Sequence, residues 1–578
     1  MPKVIIDGKE FEFEPGERLL QFCLDHGMEI PHFCYHPALS IPANCRQCLV
    51  RVGMPEIDRA TGKPRLDENG QPVIRWLPKL QPSCSTVLSD GMVVETQRSS
   101  DLVRQAHEDN LELMLINHPL DCPICDQAGE CPLQIQTFKY GPEGSRFEFH
   151  KVHKPKHVRL GPHVVLDAER CINCTRCVRF TDEISKSHQL TIVSRGDKNY
   201  PLTAPGEVFD DPYSMNVIDL CPVGALTDAH FRFKARVWEM SKTPSITVDC
   251  SKGTNCFYWV RDNLIMRITP RQNMQVNEYW MPDSARLDFE KFNEHRPEGP
   301  EVRYPDGKVK QVDWKQMYAH VADLLRSVSG DAIFFLGSAH ATVEDNYLLR
   351  ELARKLHAPV PQYIPHVKPG TGDGWLVTED KAPNAQGCER LGIHPVDREA
   401  LREGVLSGRI KVLYVMEDDP VAAGIFTQEE LRKVKVILHY YNTTNQTLPV
   451  ADLALPAAMV VETIGTYVNV DGIAQRVRPA KAIKGWNRTL MMEMGKSRID
   501  WHGTPFDRWY NEDNMVNCQP GWVMLPAIAT LLGIPMNYPG GPRQIMHEIV
   551  EREPAFHGAT YDAMGLYGYK LQDIGQPA

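Results

Sequence analysis

The cysteines of this chain are concentrated near its beginning. Of the 16 cysteines among 578 residues, 12 precede residue 222. In a long chain without a secretion signal, such a concentration favours metal ligation over a framework of disulfide bonds. The sequence therefore divides into a cysteine-rich front, which could hold metal centres, and a rear of ordinary composition.

The first candidate set comprises Cys34, Cys45, Cys48 and Cys84. Two of these cysteines form a C-x2-C pair, a third lies just upstream, and the fourth follows after an insertion. This arrangement resembles a plant-type [2Fe–2S] site, although that pattern usually has C-x4-C before the C-x2-C. A structural zinc ion also takes four thiolates. The spacing leaves the iron and zinc hypotheses equally open.

The second candidate set comprises His118, Cys122, Cys125 and Cys131. Three cysteines need a fourth donor to hold a [4Fe–4S] cubane, and His118 is placed to supply it. An imidazole in place of a thiolate removes one negative charge and should raise the reduction potential, as in Rieske centres. The alternatives are a hydrogen-bonded histidine that binds no metal and a zinc site of the Cys3His kind.

The third candidate set is a C-x2-C-x2-C run at Cys171, Cys174 and Cys177, with a distant Cys221-Pro222. This pattern is the ferredoxin signature for a [4Fe–4S] cubane whose last ligand comes from a remote segment. A two-cluster ferredoxin would place another cysteine at position 181, where this chain has threonine. One cubane is therefore predicted here.

The three sets account for nearly every cysteine of the front. Three clusters with four protein ligands each need twelve donors, and eleven cysteines with His118 supply that number. Only Cys23 is left, and its position on the apolar face of a predicted helix indicates a buried structural thiol. A series of one-electron clusters is typical of an electron relay. The sequence has no G-x-G-x-x-G turn, Walker loop or recognisable Ser/His/Asp arrangement, so electron donor and acceptor are predicted on other chains.

Charge and hydropathy exclude other classes of protein. The formal net charge of −10 argues against a basic nucleic-acid-binding surface. No apolar run approaches the ~18–20 residues that cross a bilayer, so membrane association is predicted only through partners. The start at Met1, without an Arg/Ser-rich leader, favours the cytoplasmic face of a bacterial inner membrane over a mitochondrial matrix.

Local patterns indicate the elements that position these residues. In the front, strands over 4–6 and 11–14 flank an Asp7-Gly8 turn, a helix follows from residue 19, and an amphipathic helix covers 99–116. The Gly- and Pro-containing stretch 54–79 is typical of an inserted surface hairpin. In the rear, buried strands are predicted at 332–336, 412–415 and 434–439, with a helix over 343–356, which favours an α/β fold.

Four segments of the front resemble the large iron–sulfur subunit of respiratory complex I, the 75 kDa family of NADH-quinone oxidoreductase subunits: 30–37, 44–50, 118–125 and 221–226. In the rear, the stretch 462–472 resembles the molybdopterin-oxidoreductase fold. The resemblance implies an α+β front followed by an α/β rear without its cofactor. The implied domains are a β-grasp [2Fe–2S] ferredoxin-like domain at 1–98 with the hairpin 54–79 inserted, a His/Cys3 [4Fe–4S] domain at 99–149, a [4Fe–4S] ferredoxin-like domain at 150–242 and a degenerate molybdopterin-oxidoreductase-like domain at 243–578.

The resemblance implies the same ligands as the spacing: a [2Fe–2S] cluster on the first set and a [4Fe–4S] cluster on each of the other two. Some family members carry a further cubane at the start of the rear half. Here only Cys250 and Cys256 are present, and Met281 stands where the last ligand is expected, so that cubane is predicted to be absent. Because Cys388 has no recognisable molybdenum-binding context, no molybdopterin is expected, and neither FMN nor NAD is expected on this chain.

The resemblance also implies a function and its partners. The chain would relay single electrons from a flavin- and NADH-binding subunit towards quinone-reducing subunits, without a substrate site of its own. Its partners would include a small [2Fe–2S] subunit, the quinone-module subunits and ferredoxin-like subunits of the peripheral arm, with no nucleic acid. The alternatives are a relay subunit of an NAD-linked hydrogenase or formate dehydrogenase complex and a zinc-stabilised assembly scaffold without a redox role.

Overall fold

The computed structural model describes residues 1–58, 64–68, 70–485, 494 and 512–572. The chain forms two compact units, Met1–Val237 and Trp238–Ala578. The part of the predicted hairpin at 59–63 and 69 lies outside the described residues, as does most of 486–511 in the predicted rear domain.

The first unit begins with a mixed sheet on which one helix lies. The strands in spatial order are Lys9–Glu12, Lys3–Ile6, Met92–Glu95, Leu49–Pro55 and Ile74–Trp76, with Gln81–Pro82 paired to Leu49–Pro55. Lys3–Ile6 runs parallel to Met92–Glu95, and the other pairs are antiparallel. The helix Leu19–Asp25 buries its apolar face, including Cys23, against this sheet. A helix that covers a mixed sheet is the predicted β-grasp arrangement.

The second strand differs from the prediction by two residues. Asp7 and Gly8 both have positive φ angles, 49° and 79°, which makes a two-residue turn. This turn pairs Ile6 with Lys9, and the ladder ends where Lys3 meets Glu12. The register set by the turn therefore fixes the strand at Lys9–Glu12 and leaves Phe13 beyond it, buried in the core.

Apart from one longer helix, Asp101–Leu115, the remaining elements of the first unit are short. The helices are Asp101–Leu115, Pro132–Tyr140, Arg176–Glu183 and Asn216–Leu220. The strands are Val158–Arg159, Val164–Leu166 and Leu226–Asp228 in one sheet, with Thr191–Val193 and Tyr200–Leu202 in another. The helix predicted over 99–116 is confirmed at Asp101–Leu115.

The second unit is built around a doubly wound sheet. Among the described residues, six parallel strands lie in the spatial order Leu453–Pro456, Lys435–Tyr440, Val412–Val415, Ile333–Gly337, Gln362–Tyr363 and His394–Pro395. Glu301–Arg303 and Val309–Gln311 extend the sheet in antiparallel fashion. The strand order reverses between Ile333–Gly337 and Val412–Val415, which is the point where such sheets form a crevice. The predicted α/β fold of the rear is confirmed.

Helices and two smaller sheets complete the second unit. The helices are Asp283–Leu287, Trp314–Arg326, Val343–Lys355, Ala385–Arg390, Arg398–Leu406, Gln428–Leu431, Gly521–Leu531, Pro542–Arg552 and Tyr561–Met564. The smaller sheets are Ser241–Ile246 with Asn255–Arg261 and Leu264–Pro270, and Gly465–Val468 with Ile473–Val477 and Tyr569–Lys570. Val343–Lys355 is buried along most of its length, so it forms the centre of the largest apolar core.

Candidate iron–sulfur centres

The four thiols of the first set lie in two close pairs. The backbone N–H of Cys34 donates to Sγ of Cys45 at 3.4 Å, and the two thiols hydrogen-bond to each other. Cys48 and Cys84 form the second hydrogen-bonded pair. The bond with Cys45 lowers the pKa of Cys34 to about 5, and the bond with Cys84 lowers the pKa of Cys48 to about 7. The four thiols are buried in two pairs, and each pair contains one thiol with a lowered pKa. This arrangement fits a [2Fe–2S] cluster, in which each iron takes two thiolates.

The helix Asp101–Leu115 holds the loop that carries Cys45 and Cys48. Asn110 Nδ2 donates to the carbonyl of Cys45 at 2.9 Å, and His107 Nε2 hydrogen-bonds to the carbonyl of Leu49 at 2.8 Å. Both side chains come from one face of the helix, three residues apart. Neither residue was among the candidates predicted from the sequence, where the only signal for them was their polar spacing on an amphipathic helix.

The three thiols of the second set surround one short loop. Cys122 begins a single helical turn, Cys122–Ile124, and Cys131 stands at the N-terminus of the helix Pro132–Tyr140. Cys125 and Cys131 are buried, whereas Cys122 is exposed. Burial raises the pKa of Cys131 to about 11, and its neighbours Cys125 and Cys122 act in the same direction. The structure thus brings these three thiols together.

The imidazole of His118 has an unpartnered nitrogen in the interior. Its Nδ1 is buried and has no hydrogen-bond partner among the described residues. The pKa of His118 is lowered to about 4, mainly because the ring is buried. The ring is therefore neutral at pH 7. A neutral imidazole with an unpartnered nitrogen can donate a lone pair to a metal. This orphaned atom fits the predicted role as a ligand.

The four thiols of the third set line a single cavity. Cys171, Cys174, Cys177 and Cys221 face it together with apolar side chains such as Ile192 and Leu226. Cys221 directly follows the helix Asn216–Leu220, and its N–H donates to the carbonyl of Val217 at 3.1 Å. Burial raises the pKa of Cys221 to about 12, so the site favours these thiols neutral when no metal is bound. Four convergent sulfurs in an apolar cavity fit a cubane.

A second cavity touches all three candidate sets. This polar cavity of about 270 Å³ is lined by one candidate ligand from each set, Cys45, His118 and Cys171. Asn44 also lines it, and its Nδ2 donates to the carbonyl of Asn173 at 3.2 Å, which ties the first loop to the third. The three sets are therefore neighbours.

Arg170 lies between the second and third sets. Its guanidinium donates to Asp121 at 2.6 Å, and Asp121 directly precedes Cys122. Arg170 itself directly precedes Cys171 and is almost fully buried. This ion pair joins the two loops, and the only sequence signal for it was that both residues adjoin candidate ligands.

Two further cysteines lie in the core of the second unit. Cys256 lies in the strand Asn255–Arg261 and packs in the same core cluster as Met281. Cys250 is also buried, and its thiol donates to the carbonyl of Leu376 at 3.6 Å. Among all described residues, no three His, Cys, Asp or Glu side chains lie close enough together to hold a single metal ion.

The crevice of the doubly wound sheet contains a cavity of about 480 Å³. Its walls include five acidic side chains, Asp249, Asp288, Glu417, Asp418 and Asp419, against two lysines. Cys388 does not line it, since this buried thiol donates to the carbonyl of Ser338 at 3.6 Å in the core. Among the described residues, the wall of this cavity is mainly acidic and contains no cysteine, so it fits neither the phosphate of a molybdopterin nor a thiolate ligand to molybdenum.

Five protein-family models match the chain. They are a 2Fe-2S iron-sulfur cluster binding domain at 3–99, the NADH-ubiquinone oxidoreductase-G iron-sulfur binding region at 108–146, the ferredoxin-like domain of NADH-quinone oxidoreductase subunit 3 at 161–227, an NDSU1/NuoG-like 4Fe-4S domain at 240–290 and molybdopterin oxidoreductase at 381–501. Their order agrees with the fold class predicted from the sequence. The match at 240–290 covers a segment in which this chain has two cysteines, Cys250 and Cys256.

Three curated relatives show the same similarity. NADH-quinone oxidoreductase subunit 3 of Thermus thermophilus is 38% identical over 62% of this chain and 47% of its own length. The 75 kDa subunit of NADH-ubiquinone oxidoreductase of Reclinomonas americana is 39% identical over 62% of this chain and 48% of its own length. The mitochondrial 78 kDa subunit of NADH-ubiquinone oxidoreductase of Neurospora crassa is 38% identical over 61% of this chain and 45% of its own length. The chain spans about half the length of these relatives.

Parts of the chain also resemble solved structures. A chain in the crystal structure of NAD+-reducing [NiFe]-hydrogenase in the H2-reduced state is 25% identical and matches 41% of this chain and 91% of its own, with a TM-score of 0.33. The curated relatives and three of the family models carry the same NADH oxidoreductase names. Over 62% of its length, the chain is similar to NADH-quinone oxidoreductase subunit 3 and to the 75 kDa subunit of NADH-ubiquinone oxidoreductase.

Proposed function

We propose that this chain relays single electrons between a flavin-bearing, NADH-binding subunit and quinone-reducing subunits of an NADH-quinone oxidoreductase. The observation that carries the proposal is the polar cavity that touches Cys45, His118 and Cys171. One ligand from each set at a common cavity makes the three centres neighbours, as a relay requires. The names of the relatives support the same assignment.

The proposed ligands are the twelve residues of the three sets. Cys34, Cys45, Cys48 and Cys84 hold a [2Fe–2S] cluster; His118, Cys122, Cys125 and Cys131 hold a [4Fe–4S] cluster; Cys171, Cys174, Cys177 and Cys221 hold another. The clusters supply the one-electron chemistry. The chain supplies the donors, keeps His118 neutral and buries most of the thiols, which excludes water from the centres.

The proposed partners are the flavin subunit, a small [2Fe–2S] subunit, the quinone module and ferredoxin-like subunits of a peripheral arm. We place the chain on the cytoplasmic side of a bacterial inner membrane, where it is held by these partners. In the described part of the chain, no helix has both the length and the apolar character needed to cross a bilayer.

The second unit is proposed to act as a scaffold. Its crevice holds no molybdopterin, because the acidic walls do not fit that group and Cys388 is not among the residues that line the cavity. Cys250 and Cys256 hold no further cubane, since each packs in the core and Met281 supplies no thiolate. The domain limits at 98, 149 and 242 belong to the same proposal.

Metal and sulfide analysis of the anaerobically purified complex tests this function. We expect about ten irons and about ten acid-labile sulfides bound to this chain, with neither zinc nor molybdenum. Reduction should produce three paramagnetic signals. Zinc in any of the three sets would support the assembly scaffold and end the redox proposal, whereas a nickel or molybdenum catalytic partner would favour the hydrogenase or formate dehydrogenase alternative.

Replacement of His118 by cysteine should keep the second cubane but lower its reduction potential. A thiolate adds one negative charge beside the cluster and disfavours the reduced state. We expect at least a tenfold shift of the one-electron equilibrium, about 59 mV, in an EPR-monitored redox titration.

The matched control is His153→Cys, because His153 is exposed and belongs to no candidate set. This variant should titrate like the wild type. If His118→Cys left the potential of the second cubane unchanged, His118 would not be a ligand.

A further inference from the structure

Two arginines, the half-buried Arg176 and the buried Arg179, lie between the first and third candidate sets. The helix Arg176–Glu183 starts between Cys174 and Cys177. Arg176 Nη1 donates to the carbonyl of Leu220 at 3.2 Å, directly before Cys221, and its Nη2 donates to the carbonyl of Tyr35, directly after Cys34. One guanidinium thus connects a loop of the third set to the loop of the first.

Arg179 repeats this bridge one turn later. Its Nη2 donates to the carbonyls of Cys34 at 2.6 Å and Cys174 at 3.3 Å, and its Nη1 donates to the carbonyl of Ser40. Both guanidiniums therefore contact backbone on either side of the gap between the two sets. This geometry holds two positive charges beside the backbone of both sets, and Arg176 interacts electrostatically with the thiols of Cys34, Cys174 and Cys221.

These charges have no carboxylate partner. Within the described residues, no Asp or Glu lies at ion-pair distance from either guanidinium, and Glu183 at the end of the helix instead accepts from the N–H of Ser40 at 2.8 Å. The N–H of Arg176 Nε is buried without an acceptor. A cation with a buried, unused donor normally has an anionic partner. The groups that could fill this role are the thiolates and sulfides of the two clusters.

We propose that Arg176 and Arg179 are positioning residues that raise the reduction potentials of the clusters in the first and third sets, an inference that rests on the proposed relay function. Reduction adds one electron, and hence one negative charge, to a cluster. A fixed positive charge nearby stabilises the reduced form more than the oxidised form, and the low dielectric of the interior strengthens the effect. Because the two arginines bridge the first and third sets, they raise the reduction potentials of both clusters. In the part of the chain that the structure describes, they make no direct contact with the second set, so the potential of its cluster should depend on them less.

The test is an anaerobic, EPR-monitored redox titration of the intact complex with iron content measured in the same samples. Arg176→Gln should shift the reduction equilibria of the first and third clusters at least tenfold towards the oxidised form, about 59 mV. Arg176→Lys, which retains the charge, should recover most of that shift. The control Arg159→Gln removes an exposed guanidinium of the same unit, whose charge water screens, and should change neither potential.

The outcomes separate this inference from the proposed function. Unchanged first and third potentials in a fully loaded Arg176→Gln complex would overturn the inference, as would an equal shift of all three clusters. If Arg176→Gln lost iron, Arg179→Gln would be titrated instead, with the same expectation, because it leaves the bonds of Arg176 in place. A wild-type complex that lacked the three signals would refute the relay function itself.

Discussion

Cys221→Ala should remove one complete cubane and leave the other two clusters in place. The side chain is the only ligand of the third set that comes from outside residues 171–177, and it closes the cavity from the helix Asn216–Leu220. Alanine has no donor atom, so three thiols remain at an apolar site where a cubane needs four ligands. The iron content should fall by about four atoms per chain, with loss of one EPR signal. Electron transfer from NADH to quinone should fall with it.

Cys23→Ala is the matched control. Cys23 is fully buried in the same unit, but it packs on the helix Leu19–Asp25 within the apolar core, and burial raises the pKa of its thiol to about 12. Its replacement should keep about ten irons and all three signals. A Cys221→Ala variant that retained the full iron content, or a Cys23→Ala variant that lost a cluster, would contradict the ligand assignment.

Glu344→Ala should destabilise the second unit by about 3–5 kcal/mol. The carboxyl of Glu344 is fully buried and accepts from the backbone N–H of Thr466 at 2.8 Å, the hydroxyl of Thr466 at 2.8 Å and the hydroxyl of Tyr561 at 2.7 Å. Alanine would leave these donors unsatisfied in the core and create a cavity. Amide hydrogen exchange of the intact chain measures the effect. Exchange should become faster in Val343–Lys355 and Gly465–Val468, and the exchange rates of the first unit should not change.

Glu344→Gln separates the hydrogen bonds from the charge. Burial raises the pKa of Glu344 above its ordinary value of 4.5, so the folded state holds a proton that the unfolded state has lost above that pH. The contribution of Glu344 to stability therefore falls as the pH rises from 4.5 through the pKa of the folded state. Glutamine resembles the protonated acid in shape and is uncharged at every pH. The Glu344→Gln variant should therefore stay folded, and its stability should no longer fall over this pH range.

The exposed Glu403 provides the comparison for both variants. Glu403→Ala should change the opening free energies by less than about 0.5 kcal/mol. If Glu344→Ala were as mild as Glu403→Ala, the buried hydrogen bonds of Glu344 would not support the core.

Local patterns predicted much of the architecture. The strands at 332–336, 412–415 and 434–439 and the helix at 343–356 are found at Ile333–Gly337, Val412–Val415, Lys435–Tyr440 and Val343–Lys355. Runs of apolar residues determine such elements, because burial of those side chains favours one local conformation. The strand at 11–14 was displaced to Lys9–Glu12, because pairing across the Asp7-Gly8 turn sets the register.

By itself the sequence determined which residues could be ligands, since cysteine spacing within a short loop restricts the geometry that the thiols can adopt. Only the tertiary structure decided how the sets are arranged: the pairing of Cys48 with Cys84, the cavity shared by the three sets, and the arginine bridge from Arg176 to Tyr35. These contacts join segments far apart in the chain, and no local preference encodes them. They arise because packing of the whole unit brings the loops together and leaves buried charges and donors facing the same interior space.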